Sequence, residues 1–245
     1  MRPRGIALLG AWLSFLALLA QPPERTVRIK KKIGHMFVDR YEVLRSDTAM
    51  KHGRYERRAG GMVITEGAFA RGLEEGRWVM RLRTGSIIAQ GEMKLGRQVG
   101  IWEYFSQLGE LVQKVDHDRD SIVFFDVAAE GRAGHLAPPC WPDTSFEQRP
   151  VFMGGQAFLT RLLMDRIRYP DKDFDQGTGG RVTVEFVVDT LGNTSEVVCI
   201  TDASPEIKEE ACYAVSSLGR RWLPGTMAGR KVKVKYRLPV TFRVQ

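Results

Sequence analysis

Residues 230–244 alternate strictly. Val232, Val234, Tyr236, Leu238, Val240, Phe242 and Val244 are apolar, and between them lie Lys231, Lys233, Lys235, Arg237, Pro239, Thr241 and Arg243. A period of two over this length predicts a strand with one wet face. Pro239 sits inside the run without breaking its phase, although proline cannot donate to a sheet ladder. Upstream, Val182, Val184, Phe186 and Val188 alternate in the same way, residues 189–193 have turn composition, and a second apolar run follows, so a hairpin is expected. Two helices frame these strands. Leu159, Leu162, Leu163 and Ile167 share one helical face in a segment that must stop near Tyr169, because Pro170 disfavours a helical predecessor. In the other, Ser204 reads as the N-cap, Pro205 as the first helical residue, Ile207, Ala211, Ala214, Val215 and Leu218 as the buried face, and Gly219 as the stop. The order is helix, strand, strand, helix, strand, which makes a compact α+β unit with an antiparallel sheet covered by helices on one face.

The first half follows a different rule. Gly67 and Gly91, Gly72 and Gly96, Gly76 and Gly100, Trp78 and Trp102, and Gly85 and Gly109 recur at a spacing of 24 residues. Glycine at these intervals marks turns, and the short stretches between suit strands, so the unit is a β-hairpin that stacks on its copies. A degraded earlier unit begins near Gly53, with Gly61 again 24 residues before Gly85. The tryptophans are expected to form the core of the stack. From 126 to 149 the period dissolves into glycine, alanine and proline, as in a linker.

Charge changes the picture little. The net charge is +8, and eight Lys or Arg with no acid follow Glu210. On an exposed strand such lysines guard against edge-to-edge aggregation, so nucleic acid is not expected as a partner. Arg2 and Arg4 precede sixteen uncharged residues, 5–20, and a polar exit at Gln21. That is the pattern of an export signal. As a helix it reaches only about 24 Å, short of a hydrocarbon core of roughly 30 Å. Leu18 stands where a small residue is expected before cleavage, so a retained anchor, with membrane association through residues 5–20, is the alternative. Of the three cysteines, Cys199 and Cys212 lie in apolar patterns typical of small buried hydrophobes. In an exported chain two can pair and one, Cys140 for instance, is left free. The four histidines show no ligand spacing, and neither a metal nor a cofactor is expected.

The segments "GGW"-like in pattern, "EGRW" and "VGIW", resemble MORN-type repeats, a resemblance covering roughly residues 51–115. It implies an elongated β spacer or contact surface and no chemistry. "PVFMGGQAFLTRLLMDRIRYP", "GGRVTVEFVVDTLGN", "EEACYAV" and "RWLPGTMAGRKVKVKYRLPVTF" resemble the C-terminal domain of TonB, in the right order and over residues 150–245. That resemblance implies a final strand at the sheet edge, where an extended segment of an outer-membrane receptor or other envelope partner is captured by strand addition. An edge position also accounts for Pro239. The implied partner-binding residues are Lys231, Val232, Lys233, Val234, Lys235, Tyr236, Arg237 and Leu238. Two TonB features are missing: the apolar segment holds no histidine, and residues 21–50 hold only Pro22 and Pro23 in place of a proline-rich spacer.

An enzyme is not expected. Residues 177–180 are glycine-rich but open a strand and lack a following Lys, which does not suit a phosphate cradle. The sequence thus reads as a signal peptide or short anchor (1–20), a β-rich MORN-like repeat domain (21–125), a linker (126–149) and a TonB C-terminal-like domain (150–245). The expected role is that of an exported periplasmic binding or adaptor protein of the cell envelope, in support of transmembrane transport. The alternative is a structural repeat protein whose terminal domain only forms a homodimer.

Overall fold

The alternation and the 24-residue period both appear in the backbone. The computed structural model describes residues 24–34, 36–132 and 146–242, so the expected signal or anchor at residues 1–20 and Cys140 lie outside the described residues. Nine antiparallel strands follow one another in a single sheet: β1 (Thr26–Ile33), β2 (Phe37–Leu44), β3 (Lys51–Ala59), β4 (Met62–Ala70), β5 (Leu73–Arg81), β6 (Ile87–Lys94), β7 (Arg97–Phe105), β8 (Leu111–Asp116) and β9 (Ser121–Phe125). The repeat is one hairpin long, since β5 and β7 begin 24 residues apart, at Leu73 and Arg97.

Its glycine–tryptophan spacing has a packing cause. A Cβ placed on Gly67 would lie 2.3 Å from the Trp78 ring, and one on Gly91 would lie 2.4 Å from Trp102. Each indole therefore lies flat on the backbone of the preceding strand, which only glycine permits. Trp102 is fully buried and its Nε1 donates to the Glu92 carbonyl at 2.9 Å. Tyr55 stacks on Trp78 with centroids 5.5 Å apart, and Phe69 meets both rings edge-on. The tryptophans are core residues, as expected.

The C-terminal half is α+β. A short helix α1 (Val127–Arg132) lies in the stretch read as linker and buries Ala129. After it come β10 (Val151–Phe152), α2 (Gly155–Arg166), α3 (Asp171–Asp175), β11 (Gly180–Val188), β12 (Thr194–Cys199), α4 (Pro205–Ser216), β13 (Trp222–Leu223), β14 (Gly225–Met227), β15 (Arg230–Val232) and β16 (Val234–Phe242). The main sheet runs β12–β11–β16. Helix α4 starts as its sequence dictates: the Ser204 hydroxyl accepts from the Ile207 N–H at 3.2 Å, with Pro205 in the first turn. Ile207, Ala211, Ala214, Val215 and Leu218 are all buried against the sheet.

The two halves share one apolar core. Phe158 of α2 packs on Tyr104 of β7, centroids 4.9 Å apart. Buried Gln113 on β8 donates to the Phe152 carbonyl at 3.2 Å and accepts from the Gly154 N–H at 2.9 Å. Arg161, also buried, donates to the Arg81 carbonyl and the Thr65 hydroxyl at 3.2 and 3.1 Å and pairs with Asp165 at 2.9 Å. At the N-terminus of α2, Glu130 of α1 accepts from the Gln156 N–H at 2.8 Å, and burial raises its carboxyl above the usual range.

His117 belongs to this junction. Its Nε2 lies 2.9 Å from the Tyr104 hydroxyl, which also accepts from Gln98 at 3.0 Å, and Gln98 in turn accepts from Arg221 at 3.2 Å. Burial first, and then the Arg221 guanidinium, lowers the imidazole from 6.5 to about 4, with Asp116, Asp118 and Asp120 opposing the shift. Because the unfolded ring titrates near 6.5, the unfolded state holds more protons between those two values, and stability falls as pH drops through that window. Discounted for the ring's partial exposure, the expected loss is on the order of 1–3 kcal/mol. Denaturant titrations at neutral pH and near pH 4 check it: His117→Gln should lose less stability on acidification than the parent by about that amount.

Candidate functional site

Strand β16 is built by its own alternation. Val234, Tyr236, Leu238, Val240 and Phe242 are buried beneath the helices, while Lys235, Arg237 and Thr241 are exposed on the opposite face. It pairs with β11 in one unbroken register from Val188↔Val234 to Gly180↔Phe242. Tyr236 lies among Phe186 and Trp222, with centroids 5.7 and 5.1 Å away.

The direction of the backbone groups follows from the register. Thr183 faces Pro239, yet its N–H donates to the Thr201 hydroxyl at 2.9 Å and its carbonyl accepts from Ile200 N–H at 2.9 Å, both on the β12 side. The Thr183–Pro239 pair is therefore a non-hydrogen-bonded one, and the Pro239 nitrogen points away from β11. By the two-residue repeat, the backbone groups of Lys235, Arg237 and Thr241 point the same way, whereas those of Val234, Tyr236, Leu238 and Val240 bond to β11. Among the described residues no strand pairs with that outer edge. This is how the strand keeps its proline: the missing donor falls on the open side.

Three other strands end the two larger sheets, and the remaining edge strands, β10, β13, β14 and β15, are only two or three residues long. Strand β12 is short and its register with β11 shifts between Glu185 and Val187, opposite Glu196 at φ 51°, a bulge that blunts the edge. Strand β1 is long but buries neither face, and carries Lys30, Lys31 and Lys32. Strand β9 has only five residues. Among the described residues, only β16 combines an edge position, length, regular register and a face anchored on a core.

The implied binding residues divide among three places. Lys231 and Val232 lie in β15, facing Thr226 and Gly225 of β14, and Lys233 separates β15 from β16. Residues 234–238 lie in β16 itself. The basic face is partly neutralised by Glu185 of β11, which holds Lys235 Nζ and Arg237 Nε each at 2.9 Å. The lysine, then the arginine, keeps the Glu185 carboxyl below the usual carboxylate range. By period two alone Glu185 is one more polar position between Val184 and Phe186; the β11–β16 register sets it opposite Arg237. Thr241, whose backbone also faces the open edge, lies outside the implied binding residues 231–238.

At the two ends of the edge the fold is closed in. Tyr169 packs edge-on against Phe242, centroids 5.7 Å apart, and donates to the Thr178 carbonyl at 2.7 Å. At the other end the β14–β15 hairpin turns through Ala228 and Gly229, both with positive φ, and Gly225 fits against the Val234 side chain. No helix among the described residues is long and apolar enough to cross a membrane.

Among curated proteins none matches the chain. Two solution structures of the Helicobacter pylori TonB C-terminal domain are similar at 17% identity, each covering 36% of this chain and 78% or 92% of the other, with TM-scores of 0.29 and 0.30. Residues 165–244, which hold β11, β12, α4 and β16, match the family model of the Gram-negative bacterial TonB protein C-terminal domain.

Proposed function

We propose that this protein is a non-enzymatic binding or adaptor protein of the cell envelope, which takes up an extended segment of an outer-membrane receptor or another envelope protein along β16. One observation carries the reading: a nine-residue edge strand of unbroken register, whose outward backbone groups at Lys235 and Thr241 have no strand beside them among the described residues. Main-chain hydrogen bonds supply affinity in this mode, and flanking side chains supply choice. The match of residues 165–244 to a TonB C-terminal family supports it. In this reading the MORN-type array serves as a rigid spacer, residues 1–20 direct export to the periplasm, and no motor coupling is required.

The test uses the whole chain, because its halves share a core. Lys235→Pro removes an outward donor and leaves the bonds to β11 intact, since position 235 has the same parity as Pro239. Immobilised parent chain, Lys235→Pro and the double variant Lys233→Gln with Lys235→Gln are titrated with detergent-solubilised outer-membrane proteins from the native host. A partner retained by the parent should lose about tenfold or more in affinity for Lys235→Pro. The glutamine pair should chiefly slow association and weaken its salt dependence. If the glutamine pair abolishes capture while Lys235→Pro binds normally, charge and not backbone makes the contact, and strand addition is wrong.

A further inference from the structure

Cys199 ends β12 and Cys212 lies in the second half of α4, thirteen residues on. Their sulfurs stand 2.6 Å apart, inside the contact distance of two non-bonded sulfur atoms, with the Cys199 Sγ also 3.2 Å from the Lys208 carbonyl. Both side chains leave rigid elements. Strand β12 is held to β11 by the ladder and α4 buries its apolar face on the sheet, so neither cysteine must move its backbone to reach the other. Both are partly exposed, which leaves a small exchange reagent a route to the pair.

We infer that Cys199 and Cys212 form an intrachain disulfide that staples the edge strand β12 to α4 when the chain meets a thiol–disulfide donor. A thiolate of the pair attacks one sulfur of the donor disulfide and expels a donor thiolate. The second cysteine, losing its proton, then attacks the mixed disulfide and expels the other donor thiolate. Two S–H bonds are lost, one S–S bond forms, and the donor disulfide is reduced to two thiols. Burial pushes the Cys199 thiol up to about 12, an environment that disfavours the thiolate and accepts an uncharged disulfide. The staple lies at the edge opposite β16, so it tightens the packing of α4 on β12 and β11 and leaves the open strand unoccupied. It does not depend on the strand-addition reading.

The test is a thiol count and a linkage map on the whole chain. Cys140→Ser leaves only the two cysteines in question. This variant is equilibrated in glutathione redox buffers, from both the reduced side and the oxidised side, then quenched in acid and alkylated in denaturant. The expected result is no alkylatable thiol at oxidising poise, and a tryptic species joining residues 182–208 to residues 209–220 that reduction separates. The oxidised form should melt about 5–10 °C above the reduced form, and Cys212→Ser should lose that difference. Two alkylated thiols at oxidising poise from both directions, or glutathione adducts in place of the cross-link, would overturn the inference. Since capture by β16 is read separately with Lys235→Pro, either result can fail without the other.

Discussion

Trp102→Ala should destabilise the chain by about 3–5 kcal/mol, among the larger effects available to a single substitution. The indole is fully buried, lies on Gly91 and approaches Tyr104 and His117 with centroids 6.2 Å away in each case. Its removal leaves a cavity between sheet backbones that the ladder holds apart, so the site cannot collapse. The Glu92 carbonyl loses its indole donor as well. Guanidinium unfolding of the whole chain, followed by far-ultraviolet circular dichroism, checks the value. A loss under about 1 kcal/mol would mean that the ring carries little of the core and that the glycine–tryptophan period serves something other than packing.

Phe158→Ala should cost a similar 3–5 kcal/mol, with a second consequence. Phe158 is the apolar link between the array and the terminal unit: it is buried, packs on Tyr104, and so closely covers Gly154 that a Cβ there would meet its ring at 2.4 Å. With one shared core the parent should unfold in a single calorimetric transition. Without the Phe158 ring, the polar contacts of Gln113 and Arg161 remain, but apolar contact between the halves is cut back, and the transition should broaden or divide in two. A parent that already shows two transitions would refute the shared-core account, whatever the variant does.

Much of this was legible in residue order. The buried faces of β11, β16 and α4 are set by periods of two and 3.6 acting within a dozen residues, and the N-cap at Ser204 is local, as is the stop, where Ser217 caps α4 two residues before Gly219. The 24-residue spacing was equally plain, because each tryptophan needs its glycine one strand earlier. Strands β1 and β2 escaped it: they carry neither glycine nor tryptophan in phase, and join the sheet through ladder bonds and ion pairs such as Asp39–Arg57 and Arg40–Glu56. The junction was not legible at all. Gln113 and Phe152 are 39 residues apart, Arg161 and Thr65 are 96, and a polar residue that will be buried by a distant partner looks like any other polar residue. The same blindness hid Glu185, whose role depends on which strand lies beside it. Even the break at Lys233 comes from outside β16, from the pairing of β15 with β14.

The outward-facing nitrogen of Pro239 also acts as a register key. Slide β16 by one residue and that nitrogen turns toward β11, where a donor is required, while Lys235 and Arg237 rotate onto the core face and Tyr236 and Leu238 rotate into water. The slipped pairing would lose a hydrogen bond and bury two charges at once, so the strand has a single phase. Under the proposed capture, an added strand would inherit that phase. It would meet a donor at Lys235 and none at Pro239, and its own alignment would thereby be fixed before any of its side chains are read.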